Sequence, residues 1–271
     1  MGRVFVSGSF DDLRSREIRF LEAASRLGSV HAHVWPDAAV ADATGRPPKF
    51  PQAERLYVLQ SLRWVASASV SGGPGDDESS PRPDPAADAW VVDEPADDAR
   101  QRSRAAAAGL RFRVIPSREL PGFPAAAPPS PNMGAPRGAL VTGCFDWLHS
   151  GHVRFFEEVS AFGPLYVVVG SDANVRLLKG DGHPMFPQEE RCYMAGSVRF
   201  VAGSFVSTGS GWMDAEPEIR ALRPEIYAVN EDGDKPEKRD FCRDNGIRYV
   251  VLRRVPRPGL PARTSTDLRG D

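Results

Sequence analysis

Two histidines stand three residues apart in the segment Gly143-Cys144-Phe145-Asp146-Trp147-Leu148-His149-Ser150-Gly151-His152. The apolar run Ala139-Leu140-Val141-Thr142 before it reads as a buried strand, and Val153-Arg154-Phe155-Phe156-Glu157-Glu158-Val159 after it reads as a helix. A turn from strand into helix leaves backbone N–H groups free at the positive end of the helix dipole, a setting that suits phosphate. Gly151 lets the backbone come close to a ligand. Residues three apart share a face of the first helical turn. His149 and His152 can therefore both donate hydrogen bonds to charge that develops beside bound phosphate. Near the other end of the chain, Arg263-Thr264-Ser265-Thr266 reads as a helix start with hydroxyl caps. Its free N–H groups could hold phosphate while Arg263 neutralises charge.

The elements that must position these groups alternate. In the second half, strands are expected at 138–142, 164–169, 225–229 and 247–252, and helices at 151–162, 187–198, 214–222 and 236–245. Leu165-Tyr166-Val167-Val168-Val169 is continuously apolar, as buried parallel strands are. The expected fold class is α/β: two tandem Rossmann-like domains, each a parallel sheet flanked by helices. Ligands of such sheets bind at the C-terminal strand ends, where the strand order switches. The histidine segment and Asn230-Glu231-Asp232 both fall on that edge. Ser207-Thr208-Gly209-Ser210-Gly211-Trp212 is glycine-rich but reads as an ordinary loop.

The pattern Gly143-Cys144-Phe145-Asp146-x-x-His149-x-Gly151-His152 resembles the signature of the cytidylyltransferase-like nucleotidyltransferases. Gly170-Ser171-Asp172, Lys179-Gly180, Pro184, Glu190-Arg191 and Arg263-Thr264-Ser265-Thr266 follow in the family's order, so the resemblance covers roughly residues 138–269. It implies catalytic roles for His149, His152, Lys179 and Arg263. It implies nucleotide contacts at Gly143, Cys144, Phe145, Gly151, Arg191, Asn230, Asp232, Thr264, Ser265 and Thr266, and a place near the substrates for Asp146. Lys179 alone is a surface lysine; in the family the matching arm reaches the triphosphate. Arg191 is equally readable as half of a helix-surface ion pair, and Asp146 as a turn cap. Asn230 and Glu231 depart from the family's usual glycine and aspartate, and no glycine and apolar residue separate Arg263-Thr264 from Ser265-Thr266.

The chain also repeats itself. Between Gly8 and Gly28, ten of 21 residues equal those from Gly143 to Gly163, and Phe50-Pro51-Gln52-Ala53-Glu54-Arg55 matches Phe186-Pro187-Gln188-Glu189-Glu190-Arg191. The copies differ where chemistry would occur. Arg14 replaces His149, Glu17 replaces His152, and Thr44 replaces Lys179. A carboxylate at the helix start repels phosphate, so the first copy reads as a scaffold without a site; alternatively, Arg14 and Arg16 form a different anion site. The expected division is a degenerate repeat at 1–124, a proline-rich linker at 125–137, and the active domain at 138–271. Residues 71–88, rich in Pro, Gly, Ser and Asp, read as a mobile loop. Relatives commonly dimerise through this domain, which implies a pseudo-dimeric monomer or a homodimer.

Composition narrows the class further. A net charge of −2 over 271 residues gives no global basic surface, so nucleic acid and membrane are not expected partners. Cys144, Cys192 and Cys242 form neither a metal pattern nor a disulfide framework, and no leader is expected before the first strand-like run, so the expected location is cytoplasmic. The expected activity is transfer of CMP from CTP to a small phosphorylated or phosphonate acceptor, with release of pyrophosphate and with Mg²⁺ on the triphosphate. The tandem layout is similar to that of ethanolamine-phosphate cytidylyltransferases, although there the second copy is the decayed one. The alternatives are an adenylyltransferase using ATP and a sugar phosphate, and a decayed nucleotide-binding scaffold. An aminoacyl-tRNA synthetase fragment shares the histidine motif, but the chain has no Lys-Met-Ser-Lys-Ser segment.

Overall fold

The computed structural model describes residues 2–70, 86–124, 138–265 and 268. The expected linker, most of the expected 71–88 loop, Thr266 and Asp267 lie outside the described residues. The chain divides into two units, Met1–Gly122 and Phe123–Asp271.

The first unit runs β1 (Arg3–Gly8), α1 (Ser15–Ser25), β2 (Ser29–Val34), α2 (Asp37–Thr44), α3 (Gln52–Gln60), β3 (Val65–Val70), β4 (Ala89–Asp93), α4 (Ala99–Ala107) and β5 (Arg111–Ile115). The second runs β6 (Ala139–Gly143), α5 (Ser150–Ser160), β7 (Leu165–Val169), α6 (Asp172–Lys179), α7 (Gln188–Gly196), β8 (Val201–Val206), α8 (Glu216–Leu222), β9 (Ile226–Asn230), α9 (Pro236–Asp244) and β10 (Arg248–Leu252). Each unit holds one parallel five-stranded sheet, in the orders β3-β2-β1-β4-β5 and β10-β9-β6-β7-β8. Counted within its unit, each sheet is ordered third, second, first, fourth, fifth. The order switches beside the first strand, so the segment after β6 emerges where such sheets bind ligands.

The expectation of four strands per repeat is corrected to five. Val65-Ala66-Ser67-Ala68-Ser69-Val70 and Val201-Ala202-Gly203-Ser204-Phe205-Val206 are edge strands built largely of small residues, so their apolar signal is weak. Each pairs with its neighbour through a register shift at the same place, Val30/His31 and Leu165/Tyr166. Two short helices, α2 and α6, were also absent from the sequence reading. Their consequence is that Lys179 ends a helix, with Gly180 following at φ +83°.

Strand β7 is buried throughout, as its apolar run dictates. Helix α5 buries Val153, Phe155, Phe156 and Val159 at helical spacing. On the other face, Ala215, Ile219 and Cys242 pack with Leu140, Val168, Tyr227 and Val229 of the sheet. Every central strand of the second unit is thus held from both sides, and its C-terminal edge is a fixed platform.

Candidate active site

His149 is the N-cap of α5: its Nδ1 accepts the Gly151 N–H at 3.1 Å. A neutral ring that accepts at Nδ1 carries its proton on Nε2. That Nε2 is buried, has no partner among the described residues, and belongs to a side chain only 1% exposed. His152 stacks on it, with ring centroids 3.9 Å apart at 23°, and its Nδ1 is likewise buried without a partner. Burial pushes His149 well below the ordinary histidine value, helped by His152, Arg254 and Arg263. Burial pushes His152 down to about 3, helped by Arg254 and Lys179 and opposed by a backbone hydrogen bond at Trp147 and by Asp146. Both rings are therefore neutral near pH 7. His149 can donate a hydrogen bond through Nε2–H, whereas the single N–H of neutral His152 is engaged by the Trp147 backbone, which leaves its Nδ1 as an acceptor.

Two backbone features seat these rings. A Cβ on Gly151 would lie 2.9–3.0 Å from the His149 ring, so only glycine leaves the imidazole in place. Phe145 sits at φ +50° and packs edge-on against His152 at 5.2 Å, while a Cβ on Gly143 would meet the Phe145 ring at 2.9 Å. Phe10 adopts φ +47° at the matching place in the first unit, so this strain belongs to the turn shared by both copies.

A cleft of about 440 Å³ opens along the C-terminal ends of β6, β7 and β9. Of the sequence-predicted residues it is lined by Gly143, Cys144, Phe145 and His152, and by Lys179, Asn230, Asp232, Thr264 and Ser265. A smaller pocket of about 190 Å³, against the start of α5, takes in Gly151 and Arg263 and shares Arg254, Asn230 and Thr264 with the cleft. Arg253 and Arg257 line it as well, Arg257 paired with Glu157 at 3.5 Å, and Glu158 stands among them. The whole arrangement offers a triphosphate a neutral donor at His149 and several cations, at the positive end of the α5 dipole.

Two predicted site residues are corrected to scaffold. Arg191 is 1% exposed, and its guanidinium donates to the carbonyls of Phe186 (2.9 Å), Cys144 (2.6 Å) and Gly170 (2.8 Å) and pairs with Asp172 at 2.7 Å. Arg55 repeats this with Phe50, Ser9, Trp35 and Asp37 in the first unit. Asp146 is 3% exposed and accepts the N–H groups of Met185 (2.8 Å) and Phe186 (3.1 Å), as Asp11 accepts those of Lys49 and Phe50. Their donors and acceptors bind the chain to itself, which leaves none facing substrate.

Other groups on the cleft were missed by the sequence reading: Arg254, Trp212, Lys235, Lys238, Asn174 and Asp214. Arg254 follows β10 and pairs with Asp232 at 2.7 Å while donating to the Arg263 carbonyl at 3.2 Å. The glycine-rich segment 207–212 is no ordinary loop. Both Thr208 N and Oγ1 donate to Glu218, and the Asn174 amide clamps Gly211 from both sides (2.7 and 3.2 Å). This holds Trp212 at the cleft. Its one signal in the sequence was a tryptophan inside a polar, glycine-rich stretch.

In the first unit the equivalent positions are filled by its own side chains. At the place of Gly151, Arg16 reaches Asp93 (3.1 Å) and Ser117 (3.4 Å), which stand where Asn230 and Arg254 stand. Glu17 accepts the Arg14 N–H at 3.1 Å, and Arg14 pairs with Asp12. Thr44 turns its hydroxyl onto the Val40 and Arg46 carbonyls. The arginines that could have formed another anion site are thus matched to carboxylates.

A cytidylyltransferase-like family model matches residues 140–232. The FAD synthase of Thermococcus kodakarensis is 31% identical over 117 residues, covering 42% of this chain and 76% of that protein. The chain belongs to the cytidylyltransferase-like family of nucleotidyltransferases. Further relatives in the family include the bifunctional protein HldE of Methylococcus capsulatus, 37% identical over 97 residues (35% of this chain, 20% of that protein). The HldE of Desulfatibacillum aliphaticivorans is 36% identical over 116 residues (42% and 23%). The chain thus spans about a fifth of the length of these HldE relatives. Among solved structures, a lipopolysaccharide core biosynthesis protein from Thermoplasma volcanium matches with a TM-score of 0.37 and 22% identity, over 44% of this chain and 96% of that one. No helix among the described residues is long and apolar enough to cross a membrane.

Proposed function

We propose that the second unit transfers a nucleotidyl group from a nucleoside triphosphate to a small phosphorylated or phosphonate acceptor. An acceptor oxygen attacks the α-phosphorus and pyrophosphate leaves, so no covalent enzyme intermediate is required. The observation that carries this reading is the stacked pair of neutral histidines, with a buried, unpartnered Nε2–H, beside a cleft rimmed by Lys179 and Arg254. Catalysis then consists of positioning and of donors already aimed at charge that grows on the α-phosphate. Lys179, Arg254 and Arg263 bind the β- and γ-phosphates, and Thr264 and Ser265 add hydroxyl and N–H donors. Among the described residues no three His, Cys, Asp or Glu side chains converge on one point. Mg²⁺ would therefore arrive on the triphosphate, held by phosphate oxygens and water.

The donor we propose is ATP, because a relative named FAD synthase, whose named product contains an adenine nucleotide, is matched over 76% of its length by this chain. CTP is the second reading, favoured by the tandem layout. Calorimetric titration of each nucleotide with Mg²⁺, on the wild type and on Lys179→Ala, tests both. Binding of one nucleotide, weakened by the substitution, supports transfer and fixes the base; binding of neither leaves a scaffold.

A further inference from the structure

We infer that the wall made by Trp212, Lys235 and Lys238 holds the acceptor. By this inference it admits phosphates whose body is hydroxylated or acidic, and excludes amino-alcohol phosphates. The inference rests on the nucleotidyl-transfer reading and names its acceptor class.

Trp212 is 46% exposed and offers the cleft a broad aromatic face. An ammonium or trimethylammonium head would seek such a face. That face is already taken: the Lys235 Nζ lies 4.7 Å from the ring centroid. A second cation there would meet a like charge at close range.

Lys238 reinforces the exclusion. It is only 7% exposed, yet it lines the cleft. Its ammonium reaches Thr142 Oγ1 at 3.5 Å and the Gly233 carbonyl at 3.4 Å, both at the outer limit of hydrogen bonding. Among the described residues no carboxylate lies within ion-pair distance of it. Asp214, the acidic group that acts on it most strongly, accepts the Ser207 hydroxyl at 2.7 Å. Besides the Tyr227 ring, whose centroid is 5.7 Å away, this buried ammonium has two long bonds for its three donors and is short of acceptors. A ligand hydroxyl or carboxylate would supply them; an ammonium head would not.

Position favours the acceptor over the triphosphate as the partner of this wall. His149 and His152 lie at the start of α5, against which the arginine-lined pocket sits, whereas Trp212 stands beside Asn174 of α6, both lysines come from the start of α9, and none of the three lines that pocket. The pocket of arginines against α5 suits the departing pyrophosphate. In-line displacement places the acceptor across from that leaving group.

The test uses the intact chain and two titrations. ATP and CTP with Mg²⁺ come first, and failure of both to bind would defeat the underlying reading. With α,β-methylene-ATP or its cytidine analogue bound, glycerol 3-phosphate, ribose 5-phosphate, phosphoethanolamine and phosphocholine follow. The first pair should bind about tenfold or more tighter than the second, the scale of one charge-assisted hydrogen bond. Lys238→Met should weaken the favoured pair by about the same factor and leave nucleotide affinity within about twofold. Lys235→Gln, on a partly buried side chain at the start of α9, should narrow the discrimination by admitting phosphocholine, and it carries the test alone should Lys238→Met not fold. Equal or tighter binding of the amino-alcohol phosphates would overturn the inference. So would binding of none of the four to the nucleotide-loaded protein, or an equal loss of nucleotide and acceptor affinity in Lys238→Met.

Discussion

His149 has one nitrogen committed to the helix cap and the other free and buried, so its fold role and its chemical role separate by atom. Replacing it with Ala removes a preorganised donor, and kcat should drop by about 100-fold or more. Steady-state assays with the bound nucleotide would check this, and near-wild-type turnover would sink the assignment. The neutrality of the pair has a second consequence. Unfolded histidines bind a proton near pH 6.5, whereas these folded rings bind one only well below that. Between those values the unfolded chain holds more protons, so stability is intact above about pH 6.5 and falls as pH drops toward about 3. Urea midpoints measured across that window should fall less steeply in His152→Asn than in the wild type; parallel slopes would contradict the burial argument. At this scale the sequence located the histidines, Lys179 and the residues around Gly143. It did not separate Arg191 and Asp146 from the chemistry, because the same signature encodes the turn and the site. Their persistence as Arg55 and Asp11 was the only mark of a structural role.

Between strand and helix, geometry depends on glycine more than on propensity. Gly151→Ala would place a methyl against the His149 ring, and the ring must turn to make room. We expect a loss in kcat of tenfold or more, the scale of an ångström-level misplacement, with KM for the nucleotide changed far less. A change in KM alone would mean the ring had not moved. Asp146→Ala acts on a different property. It leaves the Met185 and Phe186 N–H groups without their acceptor and should destabilise the second unit by about 1–3 kcal/mol, read from the urea midpoint. The central strands were legible from their apolar runs. The edge strands β3 and β8 were not, because small residues suffice where one side of the ladder is open. Helices α2 and α6 were too short to build a periodic pattern. The wall carrying Trp212 and the lysines of α9 also escaped notice, since residues 20 or more apart in sequence meet only through the sheet.

The two units share one topology, and the described cleft is lined by the second unit; at equivalent places of the first, a few side chains differ. Arg16 lies across the first sheet's edge where Gly151 leaves space in the second, and Glu17 turns its own carboxylate onto the helix start where phosphate would sit. Ligand binding should therefore act on one unit. A nucleotide that binds only the folded second unit stabilises it by mass action, by about 2.7 kcal/mol at a hundredfold excess over Kd, and gives nothing to a unit that does not bind. Destabilising each unit separately makes the distinction measurable. In Arg55→Leu, which strips the first unit of its buried carbonyl-binding guanidinium, the melting of that unit should move to lower temperature and stay there when nucleotide is added. In Asp146→Ala, the affected transition should recover several degrees on adding nucleotide. Differential scanning calorimetry of both variants, with and without ATP or CTP, reads this directly. Rescue of the Arg55→Leu transition by nucleotide would mean that the first copy kept a site after all.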